Sequence, residues 1–258
     1  MSIFNFFKTA GATPTEAELP DAPMQDTKLP YGAKFGSLLS LPLASYVCLS
    51  NSLIKLPDQA QLTVDSISRL EVEGLTNAKI YRFYTNKGSA LEDKDQSFLQ
   101  LLLVNDEVAQ ATYYKQLLRL IPATAEEQEP YLGRGYGLGD IYYHLGRDLL
   151  LDSYLSTAQF EKVLKGKETL EYFRDAPTDA EYIAPYRATE FRLDDARGYT
   201  GMDQEIRFMP YWREVDGGKE MLTINFEKVR TINGIPQQAL HVDFHLGLQL
   251  DHSLITIL

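Results

Sequence analysis

The sequence predicts an α+β chain that is predominantly antiparallel β with a few short helices. Sixteen Tyr and twelve Phe among 258 residues are an excess of the aromatic side chains that favour pleated, half-buried strands. Apolar and polar residues alternate regularly over 220–229 and 241–250, and this period of two is typical of a strand with two different faces. The clearest helical period is short, over 157–165. A sheet is therefore expected to carry the core.

The composition excludes several classes of function. A hydrophobic fraction of 44% and a charged fraction of 24% are those of an ordinary globular protein. A net charge of −11 without any run of Lys or Arg repels the phosphates of nucleic acids, so no nucleic-acid partner is expected. The longest apolar region, 38–49, is interrupted by polar residues and too short to cross a bilayer, so no transmembrane segment is expected either.

Cysteine usage and the first residues predict a cytoplasmic protein. The single cysteine, Cys48, has no partner for an internal disulfide, which favours a reducing compartment. Its neighbours in 45–49 are mostly apolar, so a small buried side chain is favoured over a reactive nucleophile. Residues 1–8 lack the charged segment and long apolar run of a secretion signal.

Three regions follow one another along the chain. Residues 1–30 contain four of the twelve prolines and predict a flexible arm. The tip of this arm, at 3–7, is rich in Phe; it either contacts a partner or a membrane surface, or folds back on its own domain. Residues 31–130 and 131–258 are expected to form two β-rich halves in close contact.

Strand patterns dominate the N-terminal half. Alternation over 62–72 and dense aromatic and β-branched residues over 79–85 predict strands, and 86–88 supplies a turn. The run 98–104 is apolar on both faces, which predicts a central strand. Residues 108–121 fit both a helix and a strand, and the strand is favoured.

The C-terminal half contains the clearest helix and the clearest hairpin. Ser156 and Gln159 form a capping-box pattern before the helix near 157–165, which Gly166 ends. The turn at 216–218, Asp-Gly-Gly, joins two strands because its glycines accept positive φ. In the second of these strands Leu222, Ile224 and Phe226 are predicted to face inward, and the alternate residues Thr223, Asn225 and Glu227 are predicted to face out.

The final strand carries the sharpest candidate for chemistry. His241, Asp243 and His245 occupy alternate positions, so their side chains project from one face of the strand. Two imidazoles and a carboxylate form a ligand set that suits a divalent metal such as zinc or iron, and His252 follows closely. The alternative is an amphipathic strand whose polar face meets water.

Other polar and aromatic groups favour structural explanations. The glycine-rich run 133–139 matches no nucleotide-binding fingerprint, and a flexible connection or close backbone packing is favoured over phosphate binding. Tyr136, Tyr142, Tyr143 and His144 suggest a pocket for a sugar or another flat ligand, but aromatic residues this frequent are more often core. The acidic pairs at 126–127 and 194–195 are expected at helix starts and solvated turns.

Three strand motifs follow one another along the chain. They are YRFYT within 80–85, FLQ within 97–101, and a Tyr-Arg strand at 207–214 that leads through a hairpin into 220–224. In this order they resemble the YjfK-like family of bacterial proteins of unknown function. The resemblance spans roughly 31–258. Two features depart from the family pattern, namely the longer proline-rich arm and the polar face that begins at His241.

The resemblance implies a cytosolic protein encoded near phage-shock-like membrane-stress proteins, and it transfers no catalytic residue. The function expected is a non-catalytic accessory or interaction protein linked to envelope or membrane stress, with a protein of that system as its partner and no cofactor. The alternative is a metal-dependent enzyme or small-ligand-binding protein that uses His241, Asp243 and His245, with a divalent metal as cofactor.

Overall fold

The computed structural model of the protein describes residues 29–47, 49–85 and 95–258. These residues are rich in strands, which confirms the predicted β character. The strands are β1 Leu38–Ser40, β2 Gln61–Thr63, β3 Ser66–Val72, β4 Ala78–Tyr84, β5 Ser97–Val104, β6 Glu107–Leu120, β7 Tyr142–Gly146, β8 Thr169–Arg174, β9 Tyr186–Leu193, β10 Gly201–Val215, β11 Gly218–Ile232, β12 Ile235–Leu250 and β13 Thr256–Ile257.

The helices are short. They are α1 Ala125–Gln128, α2 Arg147–Leu151 and α3 Thr157–Leu164, with 3-10 turns at Pro30–Gly32, Leu43–Tyr46, Glu129–Tyr131 and His252–Leu254. The helix predicted near 157–165 is confirmed as α3, and the Gln159 side chain accepts the backbone N–H of Ser156 at 2.9 Å. Within the described part of the chain, no helix has the length and apolar character needed to cross a membrane.

Eight antiparallel strands close into a barrel. Their order around it is β3, β4, β5, β6, β12, β11, β10 and β9, and β9 pairs back with β3. Strands β8 and β7 extend the sheet from β10, while β1, β2 and β13 form a separate three-stranded sheet. Four barrel strands lie in 31–130 and four in 131–258, so the two halves of the chain share one closed sheet.

The outer surface of β4, β5, β6, β11 and β12 is largely apolar and is covered by two other parts of the chain. Residues 29–64 and 251–258, here called the N-terminal coat, pack their apolar side chains against residues such as Phe83 and Leu101. Residues 122–186, here called the central coat, pack against the outer face of β11 and β12. Successive side chains on a strand point to opposite faces, so the alternate positions of these strands line the barrel interior.

The interior changes in character along its length, as three alternate residues of β4 show. Ile80 belongs to an apolar cluster at one end, which also contains Leu70, Val72, Leu102, Ala188, Ile206 and Phe208. Arg82 lies in a polar middle layer and is buried. Tyr84 belongs to a cluster at the other end with Phe98, Tyr114 and Met221, against which Trp212 packs. The polar layer is therefore enclosed between two nonpolar layers.

The predicted orientation of the strand over 220–229 is wrong for its polar face. Leu222, Ile224 and Phe226 are buried against the central coat. The alternate residues Thr223, Asn225 and Glu227 were expected in solvent, but they are buried as well. Closure of the barrel encloses this polar face, and a period of two cannot show which face meets water.

Two local predictions in the strands are confirmed. The ambiguous segment 108–121 is a strand, β6, which pairs with β5 on one side and β12 on the other. The hairpin is also present, because Val215 pairs with Gly218 across a two-residue turn. Gly217 in that turn has φ +91°, a conformation that favours glycine.

The glycine-rich run 133–139 is a site of close backbone packing. A Cβ atom on Gly137 would overlap the carbonyl oxygen of Pro130, and one on Gly139 would overlap that of Ile183. The buried guanidinium of Arg174 donates to the Gly139 carbonyl oxygen at 2.5 Å. Backbone contacts therefore account for the glycines, as the packing alternative proposed.

Four sequence predictions lie outside the described residues. They are the arm, apart from its last two residues, the Phe-rich tip at 3–7, the environment of Cys48 and the turn at 86–88.

Candidate functional site in the barrel interior

The three predicted metal ligands all project into the barrel. They alternate on β12 with Val242 and Phe244, which pack against the central coat. His241, Asp243 and His245 are only 4%, 1% and 1% exposed. The alternative that this face meets water is therefore wrong, because the strands opposite β12 close over it.

Asp243 is held by an arginine from the neighbouring strand. Arg119 on β6 donates from Nε to Oδ1 at 2.7 Å and from Nη2 to Oδ2 at 2.6 Å. Gln116 also donates to Oδ1, at 3.0 Å. Both oxygens of this carboxylate thus accept hydrogen bonds, and two of those bonds come from one guanidinium in the bidentate geometry that arginine favours.

His241 lies between two carboxylates. Its Nε2 is 3.0 Å from Oε2 of Glu227, its cross-strand neighbour on β11, and 3.6 Å from Oδ2 of Asp243. Burial alone would raise the pKa of Glu227, but the hydrogen bond and charge of His241, with Arg82 and Arg119, hold that pKa well below its usual value. Burial and the charge of Glu227 raise the pKa of Asp243 despite its bonds to Arg119.

His245 differs from the other two residues. Among the described residues neither Nδ1 nor Nε2 has a hydrogen-bond partner, and the ring makes a T-shaped contact with that of Phe98 at a centroid distance of 5.1 Å. Burial, together with the positive charges of Arg82 and Arg119, lowers the pKa of His245 to about 3. The imidazole is therefore neutral at physiological pH.

A second ion pair continues the network around the barrel. Arg82 Nη1 lies 3.2 Å from Oε2 of Glu190, and the Tyr84 hydroxyl donates to Oε1 of the same carboxylate at 2.7 Å. The amide nitrogen of Gln204 donates to both Glu190 and Glu227, at 2.9 and 3.0 Å. This amide connects the two ion-pair clusters into one network.

The three carboxylates of the described polar layer each have a partner of opposite charge. Glu190 pairs with Arg82 and Asp243 pairs with Arg119, while Glu227 pairs with the imidazole of His241. A buried charge is tolerated when it is paired and its remaining hydrogen-bonding capacity is satisfied. Removal of any one member leaves an opposite charge buried without compensation.

The same groups bring metal-ligating atoms together. Glu227, His241 and Asp243 each offer one ligand atom, and the three atoms lie within 4.8 Å of one another. Donors at 2.0–2.2 Å from zinc lie roughly 3–3.6 Å apart, which matches the two distances from His241. A cation would compete with Arg119 for Asp243, however. His245, which the sequence predicted as the third ligand, is not in the cluster.

The other candidates from the sequence, His144, His252, Tyr142 and Tyr143, do not join this site. His144 is exposed on β7 and His252 lies in a 3-10 turn. Tyr143 packs in the core of the central coat, where its ring contacts those of Tyr211 and Phe244. Tyr142 is exposed on the edge strand β7.

The acidic pairs have local roles. Glu127 reaches back to the start of α1, where its side chain accepts the backbone N–H of Thr124 at 3.3 Å. Asp195 accepts the backbone N–H and the hydroxyl of Thr200, both at 2.5 Å. Both acids therefore stabilise a helix start and a turn, as expected.

Only His241 and Asp243 of the interior network are predicted by a sequence pattern. Sequence patterns give no functional role to Arg82, Gln116, Arg119, Glu190 or Gln204, and they predict that Glu227 faces solvent. A usable signal exists, because polar residues occupy alternate positions on neighbouring strands, and a closed sheet would turn all of these faces inward together.

No protein-family model, curated protein or solved structure matches this chain.

Proposed function

We propose that the chain is a non-catalytic accessory or interaction protein with a rigid, internally paired barrel. The main support for this proposal is that ionisable side chains of the polar layer form ion pairs with one another. Arg119 pairs with Asp243, and Arg82 pairs with Glu190; the four side chains are 0–4% exposed. These side chains form their ion pairs inside the fold, and each pair connects two different strands.

The described surface supports an interaction role. Tyr31, Leu38, Leu254 and Leu258 are 37%, 44%, 59% and 79% exposed. Leu38 and Leu258 exchange two backbone hydrogen bonds of 2.9 Å, and the Tyr31 hydroxyl donates to the carbonyl oxygen of His252 at 3.0 Å. These four residues, here called the apolar corner, thus belong to segments that hydrogen bonds join in two pairs, Leu38 with Leu258 and Tyr31 with the turn that contains Leu254. Exposed apolar side chains are typical of contact sites where they form a patch.

The partner we propose is a protein of a phage-shock-like membrane-stress system, in the cytoplasm. The support is the resemblance to the YjfK-like family. Its motifs at 80–85, 97–101 and 207–214 fall on β4, β5 and β10, so the resemblance concerns strands that build the barrel.

The test is a cross-linked pull-down from cells of the source organism. A double variant, Leu254→Ser with Leu258→Ser, removes the most exposed part of the apolar corner, and Tyr199→Ser with Ile235→Ser is a control at other exposed apolar positions. We expect a membrane-stress protein to be enriched by the wild type and by the control and lost with the corner variant. Enrichment that is equal for all three proteins, or absent, contradicts the proposal.

A second candidate function is the binding of a divalent metal by Glu227, His241 and Asp243. The proximity of their ligand atoms favours it. Elemental analysis of protein purified without chelator should then show near-stoichiometric zinc, iron or manganese, and the metal should raise the thermal midpoint of the wild type but not of Asp243→Asn. Protein without bound metal, whose midpoint does not respond to any of the three ions, rules this candidate out.

A further inference from the structure

One lysine interrupts an apolar row on the outside of the barrel. Ala111, Tyr113 and Leu117 occupy alternate outward positions of β6 and are buried at 0%, 2% and 1% exposure. Lys115 stands between Tyr113 and Leu117 in the same row. Tyr113 packs with the N-terminal coat and Leu117 with the central coat. Lys115 therefore lies at the seam between the two coats.

A cavity of about 330 Å³ opens at this seam. It is lined by Lys55, Asp95, Lys115, Tyr154 and Gln159, which come from both coats and from the barrel. This volume lies at the lower end of the range for small-molecule sites, about 300–1,000 Å³. The seam thus has room for a small ligand.

The tyrosine forms a wall that is fixed by the backbone of the N-terminal coat. The Tyr154 hydroxyl accepts the backbone N–H of Lys55 at 3.3 Å and donates to the carbonyl oxygen of Leu53 at 3.4 Å. The ammonium nitrogen of Lys115 lies 5.5 Å from the centre of the Tyr154 ring. The Tyr154 side chain thus contacts the backbone of Lys55 through its hydroxyl and the ammonium group of Lys115 through its ring.

The cavity is cationic on a strongly acidic chain. Among the described residues that line it, two lysines and one aspartate give a formal charge of +1, against −11 for the whole chain. Lys115 is 15% exposed and pairs with Asp95 at 2.6 Å, whereas Asp95 is 68% exposed. Ion pairs with an exposed partner contribute little free energy. A dissolved anion can therefore compete with Asp95 for the ammonium group of Lys115.

We propose that this seam cavity binds a small oxyanion, a carboxylate or phosphate group, between Lys55 and Lys115, with Tyr154 as its wall. Asp95 occupies the position of the anion beside Lys115 and competes with it. Lys115 supplies a partly desolvated charge, which interacts more strongly than a charge in water. Lys55, which also lines the cavity, supplies the second positive charge.

Isothermal titration with inorganic phosphate, and separately with acetate, tests the site and distinguishes the two anions. Lys55→Gln and Lys115→Gln should each weaken binding at least about tenfold, because each removes one of the two positive charges that line the cavity. Asp95→Asn should tighten binding, since it removes the competing carboxylate. Thermal unfolding of each variant establishes that it is folded, and Lys55, which is exposed, gives a variant that leaves the core intact.

Lys79→Gln is the matched control. Lys79 is an exposed lysine paired with an aspartate, Asp106, at 2.8 Å. It aligns with Leu103 at one end of β5, whereas Lys115 aligns with Ser97 at the other end. The control should bind as the wild type does. The proposal is overturned if neither anion gives saturable heat at millimolar concentrations, or if the control and the two seam variants weaken binding equally.

Discussion

Arg119 on β6 donates a hydrogen bond to each carboxylate oxygen of Asp243 on β12, to Oδ1 at 2.7 Å and to Oδ2 at 2.6 Å, inside a closed barrel. The two residues are 124 positions apart in the chain. Their side chains are 4% and 1% exposed, so water cannot replace either partner. The pair therefore ties the N-terminal half of the barrel to its last strand.

Arg119→Met should destabilise the protein by about 3–5 kcal/mol, because it leaves the Asp243 carboxylate buried without its counter-charge. The double variant Arg119→Met with Asp243→Leu should recover much of this loss, since replacement of both partners by apolar groups is often neutral. The free energy of unfolding in urea measures both effects.

The control for this prediction is the exposed pair Lys79 and Asp106, with side chains 48% and 77% exposed. Lys79→Met should cost no more than about 1 kcal/mol. A loss for Arg119→Met as small as that of the control would show that the buried pair is dispensable.

The stability of the protein should fall as the pH is lowered from about 6.5 toward 3, and His245 should cause part of this loss. Its folded pKa is about 3, against 6.5 ordinarily. Between these values the unfolded chain takes up a proton that the folded chain excludes, so the free energy of unfolding rises with pH over this range. The contribution of His245 is fully present above pH 6.5. One such proton changes stability by up to about 1.4 kcal/mol per pH unit.

His245→Leu removes that proton from both states. Urea unfolding at several pH values between 4 and 7 should therefore give a shallower slope for this variant than for the wild type. His144→Leu is the control for the loss of a histidine, because His144 is exposed on β7 and lies outside the barrel interior. Parallel slopes for the wild type and His245→Leu would contradict a buried, neutral imidazole.

Glu227 adds to the loss in more acidic solution. Its folded pKa is depressed, so its contribution is present above the ordinary value of 4.5 and disappears as the pH falls further. Asp243 opposes it, because its raised pKa makes the folded state bind a proton more readily than the unfolded chain does.

Local features of the fold were predictable from the sequence, whereas the content of the barrel was not. The hairpin at Gly217 and the helix after Ser156 depend on neighbouring residues, and both were found. The environment of Glu227 depends on strands distant in sequence, which close over it. Polar residues at alternate positions look the same whether they face water or a closed interior.

The candidate site shows the same division. His241 and Asp243 share a face because they alternate on one strand, and that much follows from the sequence. Glu227 joins them by cross-strand register, and Arg119 reaches Asp243 from β6. Neither partner has a motif spacing that a single sequence can reveal.

Glu220 should be essential for attachment of both coats to the barrel. This buried carboxylate accepts hydrogen bonds from the Ser52 hydroxyl at 2.6 Å and the Leu53 N–H at 2.5 Å. It also accepts from the Tyr172 hydroxyl and from Nε of Arg213, both at 2.6 Å. Glu220→Gln replaces an acceptor with a donor, so a loss of about 3–5 kcal/mol is expected in urea unfolding.

Limited proteolysis adds a local measurement for Glu220. Cleavage within 49–54 should become faster in Glu220→Gln, since that segment loses its bonds to the barrel. Glu214→Gln, an exposed position on β10, is the control and should be cleaved as the wild type is. Equal cleavage of all three proteins would mean that other contacts hold the segment.

We expect glycine to be required at position 247, because the aromatic cluster at one end of the barrel leaves no space for a side chain there. A Cβ atom at this position would lie 2.5 Å from Cε1 of Tyr114, a buried ring that also packs against Phe98. Gly247→Ala should therefore cost about 1–3 kcal/mol through overpacking. Gly146→Ala is the control, because a Cβ there meets no atom within 4 Å.

The cause of the Gly247 effect can be separated from a general cost of alanine on β12. In a Tyr114→Leu background the ring is gone, so Gly247→Ala should lose most of its effect, and the two changes should be non-additive. Thermal and urea unfolding of the four proteins measure this coupling. Additive losses would show that the contact with Tyr114 is not the reason for glycine at this position.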